Sequence, residues 1–205
     1  TTPKPMIKIK GKPIIFHIMK HYAKYGFKDF YIAAGYKSNI IKNYFKNKSF
    51  GWKIKIIDTG KNTMTGGRVK RLKNFLKNDT FMLTYGDGIS DINIKKLILS
   101  HKRNKKLVTL TAVRPPARFG ALKLKGNKVN YFKEKSKVDE GWINGGFFVI
   151  EPKFIDLIKN DNTFLEREPL EKACKKRELC AYKHYGKWQC IDTQRDLEKA
   201  KSFFK

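Results

Sequence analysis

Three short apolar runs in this chain each stop at a glycine-bearing loop, with helical stretches of about ten residues between them. Phe30-Tyr31-Ile32-Ala33-Ala34 ends at Gly35, Ile54 to Ile57 ends at Asp58-Thr59-Gly60, and Thr80 to Thr84 ends at Tyr85-Gly86-Asp87-Gly88. Alternation of this kind predicts βαβ units, and so a mostly parallel sheet with right-handed crossovers and flanking helices. The three loops then line one edge of that sheet. Open α/β sheets bind their ligands in the crevice beyond the carboxyl ends of the strands, so function is expected there. Asp87 stands at this mouth between two glycines that let a ligand approach the backbone. It has two readings: a residue that favours a turn, or a carboxylate that holds a hard cation such as Mg²⁺ against phosphate oxygens.

The rest of the chain fits the same architecture. Pro13 opens a helix through about Tyr25, with Ile14, Ile15, Ile18, Met19, Tyr22 and Tyr25 at helical spacing and Gly26 as a left-handed cap. Further helices are predicted over 39–46, over 67–76, and after Asp91, taken as the cap of the stretch Ile94, Leu97 and Ile98. Leu107 to Val113 is the next strand. Beyond it the pattern changes to a hairpin around Gly126-Asn127 and a strand Ile143 to Ile150 interrupted by Gly145-Gly146. Helices over 153–159 and 169–177, a strand over 179–182 and a helix over 194–204 complete the chain. The expectation is one α/β domain over 1–205 with a Rossmann-like layout and a smaller C-terminal α+β part.

Composition narrows the function classes. With 40% hydrophobic and 13% aromatic residues the chain can bury a core, and no apolar run approaches the roughly 18 residues a membrane span needs. The chain shows no signal peptide and starts at Thr1-Thr2-Pro3 without an initiator Met, so residues are expected upstream. The net charge of +28 would attract polyanions, yet only eight of the 46 basic residues are arginine and the lysines are spread over every segment. Nucleic-acid readers favour arginine forks and interleaved aromatics, so no nucleic-acid partner is expected. Cys174, Cys180 and Cys190 are odd in number and lack C-x-x-C spacing, which argues against a disulfide framework or a zinc site and fits a reducing cytoplasm. His17 and His21 share a helix face without an acidic companion, which argues against a metal site.

Four further stretches carry candidate chemistry. Thr65-Gly66-Gly67-Arg68 begins a predicted helix, where free N–H groups and an arginine fork can meet a base edge or a phosphate; an ordinary glycine loop is the other reading. Glu134-Lys135 can hold sugar hydroxyls and a phosphate, or form a surface ion pair. Asn144-Gly145-Gly146 sets an amide beside two glycines in an apolar strand, a mark of close approach by a ligand or another backbone. Asp192 is a second candidate metal carboxylate, unless Asp192 or Thr193 merely caps the last helix.

Taken in order, Pro3-Lys4-Pro5-Met6, Gly11-Lys12-Pro13-Ile14, Gly35-Tyr36-Lys37, Met64-Thr65-Gly66-Gly67-Arg68, Tyr85-Gly86-Asp87-Gly88, Arg118-Phe119-Gly120-Ala121-Leu122, Ile143-Asn144-Gly145-Gly146-Phe147-Phe148 and Ile191-Asp192-Thr193 form a recognisable series. It resembles the sugar-phosphate nucleotidyltransferase family, over nearly the whole chain, and in particular the branch that uses CTP and glucose 1-phosphate. The resemblance implies Mg²⁺-assisted attack of the sugar phosphate on the α-phosphate, giving CDP-glucose for deoxyhexoses of surface polysaccharide. It implies Lys4 and Asp87 as catalytic residues, and Asp87 and Asp192 as Mg²⁺ ligands. Thr65, Gly66, Gly67, Arg68 and Gly86 are implied on the nucleotide side. Gly120, Glu134, Lys135, Asn144 and Gly145 are implied on the sugar-phosphate side, within roughly 115–205. A cytoplasmic homo-oligomer, a hexamer in relatives, is also implied. The family's opening strand and Gly-Gly-x-Gly-Thr-Arg loop have no counterpart after Thr1, the segment Lys46 to Gly51 is shorter than in relatives, and Ser136 replaces a usual proline.

Overall fold

The computed structural model describes residues 2–48, 50–115, 121–133 and 141–204. A 3₁₀ turn over Lys4–Met6 leads to a two-strand hairpin, β1 (Lys8–Ile9) and β2 (Lys12–Pro13), and then to α1 (Ile14–Ala23). Pro13, with its φ fixed at −61°, sits at the cap of α1, where a missing N–H costs nothing. Gly26 follows at φ +92°, as the left-handed stop expected of it. The first βαβ unit is β3 (Asp29–Ala34), α2 (Ser38–Phe45) and β4 (Lys53–Asp58), with the two strands parallel and Ala34 opposite Asp58.

Next come α3 (Thr65–Arg71), α4 (Lys73–Leu76), β5 (Phe81–Thr84), β6 (Gly88–Ser90), α5 (Ile94–Asn104) and β7 (Val108–Val113). The C-terminal part holds the hairpin β8 (Ala121–Lys125) and β9 (Lys128–Lys133), then β10 (Ile143–Ile150) and a 3₁₀ helix over Pro152–Leu157. It ends with α6 (Glu168–Lys175), β11 (Leu179–His184), β12 (Trp188–Cys190) and α7 (Gln194–Lys201).

The central sheet has the order β11-β7-β10-β5. The α/β class is as expected, but the sheet is mixed: β11 and β7 are parallel, whereas β10 runs antiparallel to both β7 and β5. The reason lies in the connections. A βαβ crossover returns a strand in the same direction, but β10 re-enters the sheet after the β8–β9 hairpin, with no crossover helix among the described residues to turn it parallel.

Strand β10 explains why its sequence is apolar without alternation. Phe147 and Val149 point into one core, with Ile14, Ile18 and Tyr22 of α1 and Ile94 and Leu97 of α5. Phe148 and Ile150 point into the other, with Val69, Phe154, Ile158 and Leu170. A strand covered on both faces must be hydrophobic on both. Each wholly buried phenylalanine contributes about 1.5–3 kcal/mol, more than a surface ion pair at about 0–1 kcal/mol. The sheet is therefore held by these layers and not by the lysine-rich surface. A third cluster, Met6, Met19, Ile32, Ala34, Ile41 and Phe45, anchors β3 and α2.

One helix cap differs from expectation and a second decides between two readings. Asn93, not Asp91, caps α5: its side chain accepts the Lys96 N–H at 3.0 Å. Asp91 instead accepts the Lys187 N–H at 2.8 Å and pairs with His184. At the last helix Thr193 forms a capping box with Asp196, which leaves Asp192 outside the cap.

His101, only 3% exposed, is a buried polar joint that the sequence did not announce. Its Nδ1 pairs with Thr109 Oγ1 and its Nε2 with Glu151 Oε1, both at 2.9 Å, and Glu151 also accepts the Thr80 hydroxyl at 2.8 Å. A carboxylate only accepts, so Nε2 carries the proton. His101→Leu leaves these partners unsatisfied and is expected to lower stability by about 1–3 kcal/mol in urea denaturation. His101→Gln, which keeps a donor, should recover part of that loss. Equal stability of the leucine variant and wild type would refute the assignment.

Candidate functional site

The site grows from a strand pairing that residue spacing does not reveal. Strand β6, just after Asp87, pairs antiparallel with β12, just before Asp192, and Gly88 lies opposite Cys190. The pairing continues one step outward, where the Ile191 N–H donates to the Asp87 carbonyl at 2.9 Å. Two carboxylates about a hundred residues apart in sequence thus stand side by side at the end of β5. Asp87, Cys190 and Asp192 present ligand atoms that all lie within 4.8 Å of one another.

Lys4 reaches the pair from the 3₁₀ turn over Lys4–Met6. Its Nζ donates to Asp192 Oδ1 at 2.6 Å, and this contact raises the lysine's pKa, which favours its charged form. Delivery depends on Gly86: a Cβ there would lie 2.7 Å from Cγ of Pro5, the residue after Lys4. Burial pushes the Asp87 carboxyl up; Lys4 pulls it back, and neighbouring Asp192 adds to the rise. The Cys190 thiol donates to Asp192 Oδ2 at 3.5 Å, and burial pushes its pKa up to about 12.

A pocket of about 460 Å³ opens beside the acidic pair and is lined by Asp87, Asp192, Asn144, Gly145, Tyr85 and Trp188 among others. Asn144 is held in place: its Oδ1 accepts the Gly146 N–H at 2.9 Å, and its Nδ2 faces the Tyr85 hydroxyl at 3.4 Å. Gly146 has φ +76° at a register shift between Asn144 and Phe148, and a Cβ there would meet the Tyr85 ring at 2.7 Å. This bulge turns Asn144 toward the pocket. The Gly145 carbonyl accepts the Trp188 indole N–H at 2.8 Å. Burial and a bond to Glu166 raise the pKa of Tyr85, so its hydroxyl stays neutral.

The Thr65–Arg68 stretch is built differently from expectation. The N–H groups of Gly66 and Gly67 are not free at the helix start; both donate to the Thr163 carbonyl, at 2.9 and 3.2 Å. Thr65 Oγ1 donates to Glu166 at 2.7 Å and accepts the Leu165 N–H at 2.9 Å. These glycines permit close packing of α3 against residues 161–165. Arg68 donates to Thr59 Oγ1 at 2.6 Å with its guanidinium set against Gly35, so the first two glycine loops do converge, around an arginine. None of Thr65 to Arg68 lines the acidic pocket. Gly120, Glu134 and Lys135 lie outside the described residues.

Sequence reasoning missed Cys190, Tyr85 and Trp188 because each takes its place through pairing or bulge geometry. The Nε2 atoms of His17 and His21 bond the Ile9 and Ile92 carbonyls at 2.9 and 2.7 Å. Among the described residues no helix is long and apolar enough to cross a membrane.

A pocket at the carboxyl end of a strand, with two facing carboxylates and a lysine over them, defines an α/β protein suited to cation-assisted phosphate chemistry. The nucleotidyl transferase family model matches residues 1–205, and the chain belongs to that family. Members generally use a divalent metal, and the oxygen donors of Asp87 and Asp192 suit one.

Among curated relatives, the glucose-1-phosphate cytidylyltransferase of Salmonella typhimurium (strain LT2) is 46% identical, covering 95% of this chain and 84% of its own length. The D-glycero-alpha-D-manno-heptose 1-phosphate guanylyltransferase of Campylobacter jejuni is 32% identical over 85% of this chain and 78% of its own. Among solved structures, HddC from Yersinia pseudotuberculosis superposes with a TM-score of 0.77 at 25% identity, covering all of this chain and 91% of that one.

Proposed function

We propose that the chain is an enzyme transferring the cytidylyl group of CTP to glucose 1-phosphate, forming CDP-glucose and releasing pyrophosphate. The observation that carries this reading is the meeting of Asp87, Asp192 and Lys4 at the mouth of the pocket that Asn144 lines. The choice of base and sugar is supported by the 46% identity to an enzyme named for that reaction. The reaction is assigned to the cytoplasm, in keeping with three free cysteines.

In this reading a sugar-phosphate oxygen attacks the α-phosphorus of CTP in line, and pyrophosphate leaves. No side-chain nucleophile takes part; positioning and charge neutralisation lower the barrier. Asp87 and Asp192 are the residues that would hold Mg²⁺, which would supply charge neutralisation to the phosphate oxygens. Lys4 keeps its proton through the transfer and offers donors to the same oxygens. Asn144 and the Gly145 backbone orient the sugar phosphate, with Glu134, Lys135 and Gly120 completing that side. Thr65, Gly66, Gly67 and Arg68 support the nucleotide side, with α3 locked to 161–165 and Arg68 fixed beside Gly35.

The test is a panel of nucleoside triphosphates and sugar 1-phosphates with pyrophosphate release as readout. Release is expected only when CTP and glucose 1-phosphate are both present, with kcat/KM for CTP exceeding that for GTP by about 100-fold or more. Faster turnover with GTP, or with another sugar phosphate, would move the specificity elsewhere. Absence of pyrophosphate from every pair would defeat the enzymatic reading.

A further inference from the structure

The donor set beside Asp87 is not purely oxygen. Because Cys190 lies opposite Gly88 in the β6–β12 pair, its half-buried sulfur sits at the base of the cleft that Asp87 and Asp192 form. The Sγ atom is 3.5 Å from Asp192 Oδ2, and one ligand atom from each of the three residues falls within 4.8 Å of the others. Ligands on one divalent ion stand no farther apart than about 4–5 Å, twice a metal–ligand bond of about 2.0–2.5 Å. The cluster therefore has the dimensions of a three-donor site.

Its chemistry divides cations into two groups. Mg²⁺ takes oxygen ligands and dehydrates reluctantly, so it gains nothing from sulfur. Zn²⁺, Cd²⁺ and Co²⁺ accept thiolate readily, and a mixed sulfur and carboxylate set favours them over a carboxylate pair alone. Neither Cys174 nor Cys180 belongs to this cluster.

We infer that Cys190 is a third ligand in the cation site and makes it a high-affinity trap for thiophilic divalent ions, which compete there with the hard ion used in catalysis. The inference rests on the reading of Asp87 and Asp192 as cation ligands. A thiophilic ion held by all three side chains takes the Asp192 carboxylate that Lys4 now engages, and the thiol proton passes to solvent as the sulfur binds.

The experiment titrates the full chain with Co²⁺ under reducing, metal-free conditions and follows its absorption spectrum. Binding is expected to give the sulfur-to-cobalt charge-transfer band in the near ultraviolet. The band should be lost in Cys190→Ser and kept in the Cys174→Ser/Cys180→Ser double variant. Calorimetry should show Cd²⁺ binding to Cys190→Ser weakened on the order of tenfold or more, while Mn²⁺ binding, read by its paramagnetic resonance signal, is retained. Cys190→Ala, checked by thermal melting, guards against a misfolded serine variant. Cobalt d–d bands without the sulfur band, or a band that survives Cys190→Ser, would overturn the role of Cys190 and leave the carboxylate site standing. Failure of Co²⁺, Cd²⁺ and Mn²⁺ all to bind would overturn both.

Discussion

Replacing Asp87 with Asn is expected to abolish turnover while making the metal-free protein more stable. The first effect follows from geometry. Asp87 and Asp192 come from two strand ends locked by the Ile191 N–H to Asp87 carbonyl bond, so no neighbouring carboxylate can substitute for Asp87. A bound metal supplies several kcal/mol of transition-state stabilisation, and a loss of about 4 kcal/mol corresponds to about a thousandfold in kcat/KM.

The second effect follows from linkage. Burial and the nearby Asp192 raise the pKa of Asp87 in the folded chain above the ordinary aspartate value of 3.8, despite the pull of Lys4. A raised carboxyl pKa means that the native state holds the proton more tightly than the unfolded state. Ionising the group therefore weakens the fold as pH rises through the folded pKa, and the effect vanishes below 3.8. Asn carries no such charge. Without metal, the variant should melt above wild type near neutral pH, and the gap should close as the solution is acidified toward the ordinary carboxyl range. Pyrophosphate release and scanning calorimetry on the same samples check both arms. An active Asp87→Asn enzyme sinks the metal assignment, whereas an inactive variant of unchanged stability sinks only the electrostatic account.

Residue spacing made the local elements legible and left the long-range partners hidden. The runs ending at Gly35, Asp58 and Gly86 are strands because short apolar segments bounded by glycine have few other solutions, and each appears in the structure. The direction of β10 could not be read, since an apolar run covered on both faces looks the same in parallel and antiparallel sheets. The pairing of β6 with β12 left no periodic signal, because each strand has three residues and they lie about a hundred apart. Cys190 was lost with it. Asp192 was legible either as a metal carboxylate or as one of two candidate caps, and the capping box at Thr193 assigns the cap and leaves the carboxylate to the cleft. His101 was invisible because a lone histidine in a lysine-rich helix announces neither burial nor a partner on another strand.

Gly67→Ala, together with Gly66→Ala, distinguishes two reasons for a glycine pair at the start of α3. If the pair served only to bring backbone donors to a nucleotide, added methyl groups would weaken CTP binding and leave the unliganded protein as stable as before. The structure gives those donors to Thr163 O instead, and a Cβ at Gly66 would stand 2.7 Å from that oxygen. At Gly67 the added carbon would press into the Asp161 backbone, which has no rotamer to yield. Overpacking against backbone costs about 1–3 kcal/mol, so each variant should melt about 2–12 °C below wild type with no nucleotide present. The strain has a path to the pocket. The displaced segment carries Glu166, which accepts the Thr65 hydroxyl and bonds Tyr85, and Tyr85 faces Asn144. The KM for glucose 1-phosphate should therefore rise along with the loss of melting temperature. A variant that melts like wild type but binds CTP poorly would return these glycines to the nucleotide; one that loses stability first identifies α3 as the joint that holds the two substrate sides in register.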